Sequence, residues 1–125
     1  MSDHIELVQG LISAWEAKDV DRIMGTLAAE CVYHNIPLEP LHGSDAIAEF
    51  ISGFIGMAKE VDWIVHHIVE GADGSVLTER TDRFLIGERW IDIPVMGTFE
   101  IEDGKIKGWR DYFDMAKFNA QLAPA

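Results

Sequence analysis

The chain contains a single cysteine, Cys31, and no long run of apolar residues. One cysteine excludes a disulfide within the chain and any metal site built from cysteine pairs. No apolar stretch approaches the roughly 20 residues that a bilayer-spanning helix needs. The N-terminus lacks the basic and apolar regions of a signal peptide. We therefore expect a cytoplasmic protein with no membrane-spanning segment.

Basic residues are also scarce: ten Lys and Arg stand against 22 Asp and Glu, and the formal net charge is −12. A field of this sign repels phosphates and anionic lipid, so nucleic acid and membrane surfaces are not expected partners. Glycine-rich phosphate loops, a Gly-x-Ser-x-Gly elbow and zinc-ligand spacings are missing as well. His66 and His67 are adjacent, so on a strand they point to opposite faces and cannot chelate one metal together. The sequence predicts neither a metal nor a cofactor.

Apolar and aromatic residues are plentiful by comparison. The 125 residues are 48% hydrophobic and include four Trp, six Phe and two Tyr. This length and content suit one globular core, and no repeat or linker divides the chain. We expect a single domain over residues 1–125.

Apolar residues spaced three and four apart predict helices in the first half of the chain. The first helix runs to Trp15 and is expected to start at Asp3, with Glu6 three residues on. Asp19 caps a second, shorter helix, and either Ser44 or Asp45 caps a third. The second helix is expected to turn Ile23, Met24 and Leu27 inward. The third carries Ile47, Phe50, Ile51 and Phe54 on one face.

The second half of the chain predicts strands joined by tight turns, followed by a short helix carrying Met115 and Phe118. The predicted strands cover Val32–Ile36, Val61–Glu70, Ser75–Ile86, Trp90–Pro94, Met96–Glu102 and Lys105–Asp114. Gly97 is expected to form a bulge or a bend, and Asp103-Gly104 a hairpin turn. Helices first and strands afterwards indicate an α+β fold. A curved sheet with helices on its concave side would enclose a pocket.

One strand face and one aromatic segment carry the residues that suggest chemistry. Arg80 and Asp82 alternate onto the same face, and Asp111 lies between Trp109 and Phe113 on the last strand. A carboxylate on an internal aromatic face needs a cationic partner, and Arg80 is the best candidate. The alternative is that Arg80 and Asp82 form a surface ion pair and that Asp111 is exposed.

Tyr33 and Asn35 also alternate onto one face of an earlier strand. The plain interpretation is a buried tyrosine with a satisfied hydroxyl and an asparagine at a turn. A second interpretation places both residues in a functional site.

Three segments together resemble one known family. Tyr33-His34-Asn35-Ile36-Pro37-Leu38, Glu79-Arg80-Thr81-Asp82 and Gly108-Trp109-Arg110-Asp111-Tyr112-Phe113-Asp114 are similar to segments of the limonene-1,2-epoxide hydrolases. The similarity runs in order from the Trp15 helix to Phe118. The five functional positions of that family carry the expected residue types here: Tyr33, Asn35, Arg80, Asp82 and Asp111.

The resemblance implies an NTF2-like, cone-shaped fold, usually a homodimer, in which a curved mixed sheet and three to four helices on its concave face surround a deep pocket. It implies hydrolysis of a small apolar epoxide, cyclic or terpenoid, to a vicinal diol without a cofactor. Asp82 would be the general acid and Asp111 the general base. Arg80 would bridge them, while Tyr33 and Asn35 would hold the attacking water.

An apolar pocket wall is expected around these residues. The candidates that share their faces or close the pocket from the helices are Trp109, Phe113, Phe84, Ile91, Ile93, Val95, Met24, Leu27, Phe50, Phe54 and Met57.

Two other functions stay open. A ketosteroid-isomerase-like or polyketide-cyclase-like enzyme would use one aspartate as a base, and it needs no arginine between two carboxylates. A non-catalytic module would hold a lipid or terpenoid in the same pocket.

Overall fold

A computed structural model describes residues 2–123 and contains one mixed, curved sheet covered by helices. The helices are α1 (Asp3–Glu16), α2 (Val20–Gly25), α3 (Ser44–Met57) and α4 (Met115–Leu122). The strands are β1 (Leu27–Asn35), β2 (Leu41–His42), β3 (Ala58–Glu70), β4 (Val76–Ile86), β5 (Arg89–Glu102) and β6 (Lys105–Tyr112). The predicted α+β class, with a mixed sheet, is confirmed. Within residues 2–123, no helix has the length and apolar character needed to cross a bilayer.

The six strands lie in the order β2-β1-β6-β5-β4-β3. All neighbours are antiparallel except β1 and β6, which are parallel. This parallel pair brings the first strand beside the last one, so residues 76 positions apart become neighbours. Asn35 on β1 lies opposite Asp111 on β6. The sheet thus joins two of the three segments that carried the family resemblance.

The helix α1 begins at Asp3, as predicted, and its cap is Ser2, whose hydroxyl accepts the Ile5 N–H at 3.0 Å. The predicted cap of α3 is wrong. The cap of α3 is Gly43, with φ 87°, and not Ser44 or Asp45. Gly43 also donates its N–H to Cys31 O at 2.9 Å, and this bond to β1 fixes the point at which α3 begins.

The caps of α2 and α4 are aspartates. Asp19 accepts the Arg22 N–H at 3.1 Å, as predicted. Asp114, which the sequence assigns to the last strand, accepts the Lys117 N–H at 3.2 Å. The last strand ends at Tyr112 because Asp114 already serves as the cap of α4.

Two predictions about the strands are also wrong. The first strand begins at Leu27 and not Val32, because α2 ends at Gly25. The predicted break near Gly97 is absent: β5 is one strand, and its pairing with β4 is regular through Gly97. The irregularity in β5 falls between Glu100 and Ile101 instead.

The free edge of β5 positions the last helix. Between Arg89 and Val95 this strand pairs with β4 on one side, while β6 begins to pair only at Met96 on the other. Gln121 of α4 occupies the vacated edge: its amide oxygen accepts the Asp92 N–H and its amide nitrogen donates to the Asp92 carbonyl, both at 2.9 Å. The side chain replaces a missing strand, which holds α4 beside the cavity.

Candidate active site

A single row across four strands brings the polar residues together. Asn35 lies opposite Asp111, Asp111 opposite Gly97, and Gly97 opposite Thr78. Arg80 and Asp82 follow Thr78 on the same face of β4. The sequence predicts the shared face of Arg80 and Asp82, and the register explains how Asp111 reaches them.

Arg80 binds both aspartates. Its Nε and Nη2 donate to Asp82 Oδ1 and Oδ2, each at 2.9 Å, and Nη2 also donates to Asp111 Oδ2 at 3.1 Å. The exposed fractions are 1% for Arg80, 4% for Asp82 and 3% for Asp111. The surface-pair alternative is therefore wrong, since all three side chains are buried. A fork of parallel hydrogen bonds fixes both the position and the plane of the Asp82 carboxyl.

Two further groups hold the Arg80 guanidinium. Nη1 donates to Thr78 Oγ1 at 2.9 Å, and the guanidinium carbon lies 4.7 Å from the centre of the Trp63 ring. A cation over an indole face is attracted by the ring quadrupole, most strongly away from water.

Asp111 has a second donor on its own strand. Trp109 Nε1 donates to Asp111 Oδ1 at 3.0 Å, so each carboxylate oxygen accepts an N–H. The Trp109 ring is fully buried and stacks on Tyr33 with a 3.9 Å centroid separation. This stack places Tyr33 beside Asp111 at the end of β1.

Burial and neighbouring charges shift the pKa values of Asp82, Tyr33 and Arg80. Burial raises the pKa of Asp82 to about 6; Arg80 opposes this shift and the charge of Asp111 adds to it. Burial also raises the pKa of the Tyr33 phenol, as does the Asp111 charge, against the weaker effects of Asn35 and Arg80. For Arg80, burial alone would lower the pKa, but Asp111 and Asp82 raise it above its usual range. At neutral pH Arg80 is therefore cationic and Tyr33 is a neutral hydrogen-bond donor.

The site opens into a cavity of about 240 Å³. Tyr33, Asn35, Asp82 and Asp111 line one part of it, while Arg80 lies behind the carboxyls. The remaining wall is apolar and consists of Trp15, Leu38, Phe50, Phe54, Met57, Trp63, Phe84, Ile93, Val95, Phe113, Met115 and Phe118.

The wall contains many of the predicted residues and corrects others. Phe84, Ile93, Val95, Phe113, Phe50, Phe54 and Met57 lie where the sequence predicts. Trp109, Met24, Leu27 and Ile91 do not line the cavity. Trp109 is stacked between Tyr33 and Phe99, and Ile91 packs in a separate cluster with Phe113 and Phe118.

Leu27 and Met24 were wrongly predicted to line the cavity because the second helix was expected to extend to Leu27, whereas α2 ends at Gly25. Leu27 begins β1, eight residues or roughly 26 Å of extended chain from Asn35. Met24 lies in the last turn of α2, which packs on α1 and α3.

Five wall residues are missing from the predicted set: Trp15, Leu38, Trp63, Met115 and Phe118. The helical spacing of Trp15 does indicate an inward position. The pair Met115 and Phe118, three apart on a helix, is a second usable signal. Across residues 2–123, no three His, Cys, Asp or Glu side chains are arranged to hold a metal ion.

These features define an NTF2-like α+β protein whose cavity holds two aspartates bridged by an arginine. A family model described as the limonene-1,2-epoxide hydrolase catalytic domain matches residues 2–123. Epoxide hydrolase EphG of Mycobacterium tuberculosis (strain ATCC 25618 / H37Rv) is 36% identical over 112 residues, covering 86% of this chain and 71% of that protein. The chain therefore belongs to the limonene-1,2-epoxide hydrolase family and is a hydrolase that acts on epoxides.

Solved structures agree with this assignment. An LEH-like epoxide hydrolase from M. tuberculosis matches with a TM-score of 0.83 and 34% identity, over 96% of this chain and 89% of that one. An NTF2-like protein of unknown function from Burkholderia pseudomallei K96243 matches with a TM-score of 0.87 over 99% of this chain and 100% of that one. Its identity is 18%, so this likeness shows the fold alone.

Proposed function

We propose that the enzyme opens a small apolar epoxide in one step, with Asp82 as general acid and Asp111 as general base. The observation that carries this proposal is the Arg80 guanidinium, which donates to both carboxyls inside a buried site. Opening the ring requires a proton for the developing alkoxide and a base for the attacking water. One arginine between two carboxyls allows one of them to be protonated while the other stays ionised.

The acid role falls to Asp82. Its raised pKa, about 6, keeps a useful fraction of the carboxyl protonated near neutral pH. Both of its oxygens accept Arg80 N–H groups on one side, and the residue lines the cavity, so we expect its proton on the cavity side. Asp82 gives this proton to the epoxide oxygen as the carbon–oxygen bond breaks.

The base role falls to Asp111. Asp111 takes one proton from water as the water oxygen bonds to the epoxide carbon. Asn35 lies opposite it, and the neutral Tyr33 phenol lies at the same end of the cavity, so both can orient that water. One epoxide and one water become one diol. The proton on Asp111 then returns to Asp82 through solvent, which restores the starting state.

The cavity suggests the substrate class. Its volume of about 240 Å³ lies below the roughly 300–1,000 Å³ of pockets that hold drug-sized ligands, which favours a small substrate. Aromatic and aliphatic side chains form nearly all of the wall away from the carboxyls, so they favour an epoxide with a compact apolar body, cyclic or terpenoid. An enzyme of the ketosteroid-isomerase type has no need of the Arg80 bridge, which favours hydrolysis over that alternative.

The assembly and compartment remain predictions: we propose a cytoplasmic homodimer built from one domain. The outer sheet face supports a dimer, because Ile64, Met96 and Tyr112 are exposed there. Light scattering during gel filtration should give twice the 14.0 kDa mass of the chain; the mass of a single chain would exclude the dimer.

The mechanism is tested with purified protein and a panel of cyclic, terpene and aryl epoxides, without added metal. We expect vicinal diol from at least one epoxide, and the same rate in the presence of a chelator. A single turnover in ¹⁸O-labelled water should label the first diol formed; unlabelled diol would instead indicate an enzyme-bound ester.

The two carboxyl roles are tested by amide variants. Asp82→Asn and Asp111→Asn should each lower kcat by about 10²-fold or more, because each removes one positioned proton transfer. Circular dichroism should show an unchanged fold. A near-wild-type rate in either variant would contradict the two-aspartate mechanism, and binding without turnover in the wild type would favour the binding-module alternative.

A further inference from the structure

Arg80 reaches Asp111 through a gap in the sheet. The strand β5 lies between β4 and β6, and its residue in the gap is Gly97. A Cβ atom at Gly97 would lie 2.5 Å from Arg80 Nη1 and 2.6 Å from Asp111 Oδ1. Real Cβ atoms do not approach so closely, so any side chain at this position would displace the bridge.

The backbone gives no other reason for this glycine. Gly97 is absent from the residues with positive φ, and it lies in a regular ladder between Thr78 and Asp111. A glycine inside a strand weakens the strand because it has no side chain to pack. The space that it leaves is filled by the guanidinium.

Thr78 closes the same gap from the opposite side. It is 1% exposed, and its Oγ1 accepts Arg80 Nη1 at 2.9 Å while donating to the Gly97 carbonyl at 3.4 Å. Without this hydroxyl a buried cationic N–H would lose its acceptor, and the guanidinium could rotate away from the carboxyls. Thr78 does not line the cavity, so it does not contact substrate.

We infer that Thr78 and Gly97 are positioning residues: together they form a slot that holds Arg80 in the one orientation that serves both aspartates. This inference rests on the proposed two-aspartate mechanism. Trp63 covers the slot from the cavity side through its contact with the guanidinium.

The primary test is Thr78→Val, which keeps the side-chain shape and removes the hydroxyl. We expect kcat to fall roughly ten- to a hundred-fold, the range for losing a hydrogen bond to a buried charge. KM should change little, because Thr78 is away from the cavity. Thr78→Ser should restore kcat, and Thr81→Val, which alters the outer face of the same strand, is the matched control.

The pH profile separates positioning from a purely structural effect. The titratable groups that face Asp82 are Arg80, Asp111 and Tyr33. A loosely held Arg80 stabilises the ionised form of Asp82 less well, so the alkaline limb of the kcat profile should move to higher pH in Thr78→Val. An unchanged limb with wild-type kcat would overturn the inference.

Gly97→Ala tests the other wall of the slot. We expect a loss of kcat of about a hundred-fold or more, with a fold preserved by circular dichroism. The matched control is Gly108→Ala, whose added Cβ would come close only to the Glu100 side chain, at 2.8 Å from its Oε2. Wild-type activity in Gly97→Ala would overturn the inference.

Two further variants, Thr78→Cys and Asp82→Asn, distinguish a folding defect from a loss of positioning. Should Thr78→Val not fold, Thr78→Cys supplies a similar volume with a weak acceptor and should show the same loss of kcat; wild-type kcat in it would overturn the inference. If Asp82→Asn is inactive while Thr78→Val and Gly97→Ala are both fully active, only the slot is wrong. If Asp82→Asn is active, the two-aspartate mechanism itself fails.

Discussion

Trp109 donates its indole N–H to Asp111 Oδ1 at 3.0 Å from two positions earlier on the same strand. Residues two apart on a strand share a face, so this bond needs no help from the rest of the fold. It turns an aromatic core residue into a hydrogen-bond partner of Asp111, the proposed general base. The Trp109 ring also supports Tyr33 through their stack, so one side chain contacts two residues of the proposed water site.

Removing only the indole N–H should therefore impair catalysis. In Trp109→Phe most of the stacking surface remains, while Asp111 Oδ1 loses its donor. We expect kcat to fall about tenfold or more, the effect of losing one hydrogen bond to a buried carboxylate. Steady-state kinetics should show this loss, and Trp90→Phe on the outer face serves as control. Equal kcat in Trp109→Phe and wild type would mean that the indole N–H does not assist the base.

The pH dependence follows from the direction of the Asp82 shift. Burial raises its pKa to about 6, and in its proposed role as general acid Asp82 works only when protonated. We therefore expect kcat to fall tenfold per pH unit as the pH rises well above 6. A kcat that rises through this range would reverse the assignment of acid and base.

The raised pKa of Asp82 also makes the folded state more stable at acidic pH. The folded protein binds the Asp82 proton more tightly than the unfolded chain, whose carboxyl has an ordinary pKa near 3.8. The resulting contribution to the free energy of unfolding is fully present below pH 3.8 and is lost as the pH rises through about 6. The acidic side of neutrality thus favours both the protonated acid and the fold around it.

The wall residues from α4 should control which epoxide fits. Phe118→Ala would enlarge the cavity at a point away from the carboxyls. We expect kcat/KM for epoxides with two or three extra carbons to rise about tenfold relative to a small cyclic epoxide, since one methylene is worth roughly 1–3 kcal/mol of discrimination.

The control for this change is Leu122→Ala, an exposed position on the same helix that is absent from the cavity wall. Competition between a small and a larger epoxide measures the ratio directly. An unchanged ratio in Phe118→Ala would mean that α4 does not contact substrate.

Strand alternation was enough to predict that Arg80 and Asp82 share a face and that Asp111 needs a cation. Alternation could not predict that Arg80 contacts Asp111, because the register of the three strands β4, β5 and β6 is set by pairing along the whole sheet. Gly97 shows the difference clearly. A glycine inside a strand indicates a bulge by local rules, yet here it clears space for a side chain from the neighbouring strand.

The cavity wall shows a second limit. Apolar spacing predicts α4, but neither that Met115 and Phe118 line the cavity nor the edge on which the helix docks. That edge exists because β6 ends while β5 continues, and Gln121 recognises it by two bonds to Asp92. Leu27 was predicted on a helix but begins β1, since an apolar residue at a helix-to-strand junction fits both the helical and the strand spacing.

The attachment of α4 through Gln121 separates two tasks within the molecule. The residues proposed to transfer protons, Asp82 and Asp111, belong to strands β4 and β6 of the sheet. Part of the cavity wall belongs to a helix joined to the edge of that sheet by the Gln121 amide, by Arg89, which donates to the carbonyls of Gln121 and Ala123, and by a few apolar contacts. Mutations in α4 can accordingly diversify the substrates of this enzyme during evolution while its reaction stays the same.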